Sequence, residues 1–163
     1  MPSTSMLPRG QESEANDFAP LDPAYDERVR ASFARQGAMR LLGARLRALR
    51  PGFCAIELPY RDDLTQQHGY IHAGIVSAIA DSAGGYAGFT LFPRDATVLT
   101  VEYKLNLLAP AAGERLVAEA RVVKPGRTLA ITRGEVYAEA GEKRTLCALM
   151  QQTLIVLAGK PDA

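Results

Sequence analysis

Pro93 divides the hydrophobic pattern of this 163-residue chain by period. Before it, from His72 to about Phe92, apolar residues recur at helical spacing over one long window, and after it the period is two. In Val98 to Leu107 the residues Leu99, Val101, Tyr103, Leu105 and Leu107 alternate with Thr100, Glu102, Lys104 and Asn106, which places the two sets on opposite faces of a strand. Three more alternating segments follow, Glu114 to Lys124, Thr128 to Glu139 and Arg144 to Leu157. Short turns rich in Gly or Pro separate them, at Pro110 to Gly113, Pro125-Gly126 and Ala140-Gly141-Glu142. This reads as an antiparallel meander. Upstream, Leu41 to Leu49 and Phe53 to Tyr60 flank Arg50-Pro51-Gly52, a hairpin signal. Asp22 as N-cap and Pro23 as first helical residue open a shorter helix that runs to about Gln36 or Met39. One long helix between a hairpin and a four-stranded run is an α+β architecture.

Hydrophobic residues make up 47% of the chain and charged ones 23%, which suits one domain with its own core. Residues 21 to 160 are expected to form it, with Met1 to Pro20, which lacks periodicity, as a flexible tail. Nineteen Lys plus Arg against eighteen Asp plus Glu leave a net charge of +1, too balanced for a nucleic-acid partner held by a basic field. The uncharged run Gly69 to Ala80 is too short to cross a membrane, and a soluble, cytoplasmic protein is expected. Cys54 and Cys147 lie far apart in apolar runs and read as small core residues. His68 and His72 straddle a loop and a helix start, so no metal site is expected.

At about 100° per residue, Gly74, Ala78, Asp81, Gly85 and Gly88 share one direction of the long helix, with Ser77 beside them. Ile75, Val76, Ile79, Ala83, Tyr86 and Ala87 take the opposite arc. Each interior glycine costs a helix about 1 kcal/mol relative to alanine, so something must approach that small face closely. A second helix crossing tightly would serve, and so would a ligand lying along the face toward Asp81, the one carboxylate on it. The preceding run Gln66-Gln67-His68-Gly69-Tyr70-Ile71-His72-Ala73-Gly74 leads polar side chains into a helix start with small residues in its first turn. Unpaired N–H groups there suit an oxyanion.

These residues resemble the hotdog-fold acyl-CoA thioesterases of the phenylacetate-pathway, PaaI-like type. Their pattern is a polar amide, Gly three positions on, His three further, two small residues, and an Asp nine positions after the His. Here it reads Gln66, Gly69, His72, Ala73-Gly74 and Asp81, and Val98 to Asn106, Pro110 and Gly126 to Thr128 resemble the family as well. The similarity runs from about Leu41 to Leu157. It implies a central helix wrapped by an antiparallel sheet, and a homodimer or homotetramer with active sites at the protomer interface.

The resemblance also implies hydrolysis of a fatty-acyl or aryl-CoA to free acid and CoA, with no cofactor beyond the CoA of the substrate. Asp81 would be general base or nucleophile, and the N–H of Ala73 would polarise the thioester carbonyl. Gln66, where the family often has Asn, would orient water or thioester, and Thr100 would position water. His72, Gly69, Gly74, Ser77 and Arg127 are the candidate substrate contacts; Arg127, on a hairpin tip beside Gly126, is read either as a contact to a CoA phosphate or as a solvated turn charge. The plainer reading of His72 is a ring that hydrogen-bonds backbone and supports the helix start. An α/β-hydrolase route is disfavoured, since no Gly-x-Ser-x-Gly elbow occurs. A hotdog-fold dehydratase and a module that binds or senses acyl-CoA without turnover are the alternatives.

Overall fold

In a computed structural model, which describes residues 18 to 160 and 162, the elements follow in the order α1 (Tyr25–Arg35), α2 (Gly37–Leu42), β1 (Arg45–Arg50), β2 (Phe53–Pro59), α3 (Ala73–Phe89), β3 (Ala96–Leu107), β4 (Arg115–Lys124), β5 (Leu129–Ala140) and β6 (Lys143–Ala158). The expected tail lies outside the described residues as far as Asp17; Phe18 packs against the core. A six-stranded antiparallel sheet in the order β1-β2-β4-β5-β6-β3 carries α3 across it, in contact with β2, β3, β4, β5 and β6. This is the hotdog arrangement. The apolar arc of α3, with Val76, Ile79, Ala83 and Phe89, is buried with Ile56, Leu116, Met150 and Leu154 of the sheet in one core cluster.

The N-terminal helical segment is two helices, because Gln36 turns extended (φ −69°, ψ 100°) between them. Asp22 does not cap the first. Its Oδ1 accepts from the N–H of Ala24 at 3.0 Å, and the helix starts one residue later. Leu41 and Leu42, expected to open a strand, end α2 instead. Gly43 at φ +74° closes that helix with its N–H on the carbonyl of Arg40 at 3.1 Å, a C-cap that only a residue at ease in the left-handed region makes cheaply. The long helix ends at Phe89, short of Pro93, where the hydroxyl of Thr90 donates to the carbonyl of Ala87 at 2.7 Å.

Only β4, β5 and β6 form a meander. The strand after α3 pairs with β6 at the far edge of the sheet, leaving its other side unpaired among the described residues. Its alternation also breaks. Thr100 pairs with Leu154 and Glu102 with Thr153, so Val101 is an extra residue in a β-bulge. Past that bulge the faces exchange: Tyr103 pairs with Gln152 and Leu105 with Met150, all on the row toward α3, and Thr100 shares that row. The unbroken alternation expected from the sequence, with Thr100 opposite Tyr103 and Leu105, is therefore incorrect.

Candidate active site

Asp81 stands half-buried in the middle of α3 with its small-residue neighbours. The glycines around it answer to different causes. A methyl group on Gly88 would come 2.5 Å from Cδ1 of the buried Leu154, and one on Gly84 would overlap the side chain of Gln152. Both make room for β6 of the same chain, not for a second helix or a ligand. Gly85 has open space beside it and lines a cavity of about 440 Å³. Asp81, Thr100, Ser32, Gln36, Tyr86 and Leu99 are among the walls of that cavity.

The bulge delivers Thr100 to Asp81. Its hydroxyl donates to Oδ1 of the carboxylate at 2.7 Å. Gln152 donates to the same Oδ1 at 2.6 Å through Nε2. Among the described residues no hydrogen bond reaches Oδ2, which leaves one carboxylate oxygen fixed and the other free to accept a proton or attack a carbon. One turn toward the N-terminus, Ser77 donates to the hydroxyl of Tyr103 at 2.7 Å. That tie fastens α3 to the strand past the bulge.

A second group assembles at the start of α3. Gln66, Gly69, His72, Ala73 and Gly74 gather there, and Gln66 and Ala73 line a cavity of about 360 Å³ with Leu107, Leu108 and Cys147. Gly69 has φ +80° and closes the turn with its N–H on the carbonyl of Gln66 at 3.0 Å. The amide oxygen of Gln66 accepts from the N–H of His68, which spends that oxygen inside its own loop. His72 is the N-cap: Nδ1 accepts from the N–H of Gly74 at 3.0 Å, so the ring supports the helix start. The N–H of Ala73 finds no acceptor among the described residues.

Asp81 lies eight residues beyond Ala73 on the same helix, about 12 Å at a rise of 1.5 Å per residue. Within one chain, therefore, the carboxylate and that N–H do not meet on one carbonyl group. Arg127 joins neither group. It is exposed in the β4–β5 connection, which the N–H of Val156 ties to the sheet through the carbonyl of Thr128 at 2.8 Å.

Gln152, on β6, is absent from the residues that motif and spacing singled out. It is 1% exposed and faces Thr132 of β5, itself fully buried, whose hydroxyl donates to Oε1 at 2.8 Å. The available signal was a polar residue on the inward row of each strand, between Met150 and Leu154 on one and between Ala130 and Gly134 on the other. Burial sets the state of both thiols: it pushes Cys54 up to about 12 and Cys147 up to about 11, so neither supplies a thiolate near neutrality.

The family model described as thioesterase superfamily matches residues 68–145, a span that holds His72, Ala73, Asp81 and Thr100. A thioesterase family protein from Silicibacter pomeroyi is 51% identical, with 83% of this chain and 99% of that one covered at a TM-score of 0.82. Human acyl-coenzyme A thioesterase 13 is 28% identical over 119 residues, 72% of this chain and 84% of its own. The PaaI protein of the E. coli phenylacetic acid degradation operon shares the fold, with a TM-score of 0.76, 19% identity, and 86% of this chain and 99% of that one covered. The hotdog fold, the small-residue helix start and the held carboxylate stand together in one chain that belongs to the thioesterase superfamily, as a thioester hydrolase.

Proposed function

We propose that the protein hydrolyses a fatty-acyl or aryl-CoA thioester to the free acid and CoA, with Asp81 as general base or nucleophile. The observation that carries this reading is the carboxylate of Asp81, fixed through Oδ1 by Thr100 and Gln152 at the wall of a cavity while Oδ2 accepts no hydrogen bond among the described residues. As general base, Oδ2 takes a proton from water as the water oxygen bonds to the thioester carbon. As nucleophile, it forms an acyl anhydride that water then opens. In both routes the C–S bond breaks and its electron pair leaves on the CoA sulfur. Charge developing on the carbonyl oxygen is met by the N–H of Ala73 at the positive end of α3. Gln66, through its Nε2, orients water or thioester, and Arg127 meets a CoA phosphate.

The distance along α3 supports a site shared by two protomers, with Asp81 and Thr100 from one and the Gln66 to Gly74 segment from the other. The outer edge of β3 supports the same assembly. Leu99, Val101, Tyr103 and Leu107 are exposed along an edge with free backbone N–H and C=O groups, a surface that a second copy would cover by extending the sheet. The acyl group would then lie between α3 and the sheet of the partner. The test is thiol release from a panel of acyl-CoAs by wild type and Asp81→Asn. Hydrolysis of at least one member, lost in the variant, is the expected outcome; a variant as active as wild type, or a wild type inert toward the whole panel, refutes it.

A further inference from the structure

We infer that Gln152, held by Thr132, is a positioning residue that sets the reactive geometry of Asp81; the inference rests on the reading of Asp81 as the reacting carboxylate. Gln152 is 1% exposed and Thr132 is fully buried, and a buried amide without partners costs a protein a few kcal/mol, so this position has to be accounted for by its bonds. Those of its nitrogen converge on Asp81 and on Thr100, the residue that also holds Asp81. Nε2 lies 2.6 Å from Oδ1 of Asp81, 3.1 Å from the carbonyl oxygen of Asp81 and 3.0 Å from the hydroxyl of Thr100.

The bonds fix which way round the amide sits. A main-chain carbonyl only accepts, so the amide atom facing Asp81 must be the nitrogen. The amide oxygen then points to Thr132, whose hydroxyl gives it a proton at 2.8 Å. A flipped amide would set two acceptors against each other beside Asp81. The acceptors of Asp81 therefore set the orientation and the hydroxyl of Thr132 holds it, so that Gln152 presents N–H to Oδ1 and, among the described residues, to no other carboxylate oxygen. Gly84 belongs to the same device. A Cβ at that position would overlap Oε1 of Gln152 and stand 2.9 Å from Oγ1 of Thr132, so the amide reaches Asp81 only under a bare helix backbone. With Oδ1 held by two donors, rotation of the carboxylate is stopped and Oδ2 is the oxygen left for chemistry.

The experiment compares wild type, Asp81→Asn, Gln152→Met and Thr132→Val on the best acyl-CoA of the panel, with folding checked by circular dichroism and thermal melting. Gln152→Met fills similar volume without the donor, and Thr132→Val keeps the shape of the residue that locks the amide. The expected result is a fall in kcat of about 10- to 100-fold for Gln152→Met and a smaller fall for Thr132→Val, with KM within about twofold in both, as misplaced reacting groups produce. A role confined to packing would lower the melting temperature and leave kcat of the folded enzyme unchanged. Folded Gln152→Met with wild-type kcat, alongside inactive Asp81→Asn, overturns the inference and leaves the function standing. Active Asp81→Asn overturns the function instead. If Gln152→Met does not fold, Thr132→Val decides: kcat within about twofold of wild type overturns the inference, and a greater loss at constant KM supports it.

Discussion

The hydroxyl of Thr100 donates to Oδ1 of Asp81 at 2.7 Å, and it does so because Val101, the residue after it, is extruded as a bulge. A hydrogen bond to a charged group contributes about 1.5–3 kcal/mol, and that bond is retained by Ser and lost by Val. Thr100→Val is expected to lower kcat by roughly ten- to a hundredfold, and Thr100→Ser to keep most of it. Steady-state kinetics on one acyl-CoA, with both variants shown to be folded, checks the pair. A loss in Thr100→Ser with Thr100→Val left active would mean that the methyl group, not the hydroxyl, matters at this position.

The glycines of α3 predict opposite signs. Gly85→Ala adds a methyl group into open space, removes the backbone cost of glycine, and should raise stability by up to about 1 kcal/mol. Because that methyl enters the cavity beside Asp81, KM for bulky acyl groups should rise. Gly88→Ala drives its methyl against the buried Leu154 and should cost about 1–2 kcal/mol after the helical gain is subtracted. Urea unfolding of the two variants reads the signs directly, and equal effects would contradict the packing described.

How far the sequence discloses such things depends on whether a rule of regular geometry applies. Helical angle alone collects Gly74, Ala78, Asp81 and Gly85 on one side, and these residues are only partly covered within the chain. The same arithmetic assigns Gly88 to an approaching partner, whereas the occupant is Leu154, sixty-six positions away in a strand that no local pattern connects to it. Alternation fails at Val101 because a bulge is chosen by tertiary fit: an extra residue there lets Thr100 face Asp81 and Tyr103 face Ser77 together. Gln152 escapes motif reading for a related reason. Beside Gln151 it looks like half of a polar pair on a solvated strand, and only the register with β5 and β3 shows that it points inward. Gly43, by contrast, was legible as a helix C-cap from the Leu41-Leu42-Gly43 run and would have corrected the start of β1.

Arg28 closes the far end of the same helix. Its guanidinium donates to the carbonyls of Phe89 at 3.1 Å, Phe92 at 2.8 Å and Pro93 at 2.6 Å, and lies over the ring of Phe89. Burial pulls the pKa of Arg28 down, and Asp22, 3.4 Å away, pulls it up. Arg28→Met removes these donors from carbonyls at the end of the helix and should cost about 2–3 kcal/mol. For a chain of this size that lowers Tm by roughly 5–10 °C, measurable by calorimetry. A shift below about 2 °C would show that water replaces the guanidinium at no cost.

Glu139 links stability to pH. Desolvation raises its pKa, but hydrogen bonds from Arg115 and Arg47 outweigh this and hold the carboxyl below its usual value of 4.5. A group depressed in the folded state contributes stability that is complete above its unfolded value and disappears as pH falls through the folded one. With the guanidiniums partly exposed, that contribution is discounted to about 1 kcal/mol or less. Glu139→Gln should therefore be less stable than wild type at pH 7, with the difference shrinking steadily below pH of about 4.5. Unfolding curves at three pH values across that window check it, and a difference independent of pH would assign the effect to packing.

Ala73→Pro isolates the backbone donor proposed for the thioester carbonyl. Ala73 is the first residue of α3, the position where proline is tolerated, and His72 before it is already extended at φ −60°, ψ 138°. The substitution thus deletes one N–H with the helix intact, and a loss of about 10²–10³ in kcat is expected. Mixing unfolded Ala73→Pro and Asp81→Asn chains and refolding them together then tests the shared site. If Ala73 of one protomer serves Asp81 of the other, each mixed dimer holds one site with both groups present and one with neither. Half of the dimers are mixed at random, so recovery of about a quarter of wild-type activity is expected from two chains that are inactive alone. If both groups of a site came from one chain, every site would lack one group and mixing would restore nothing.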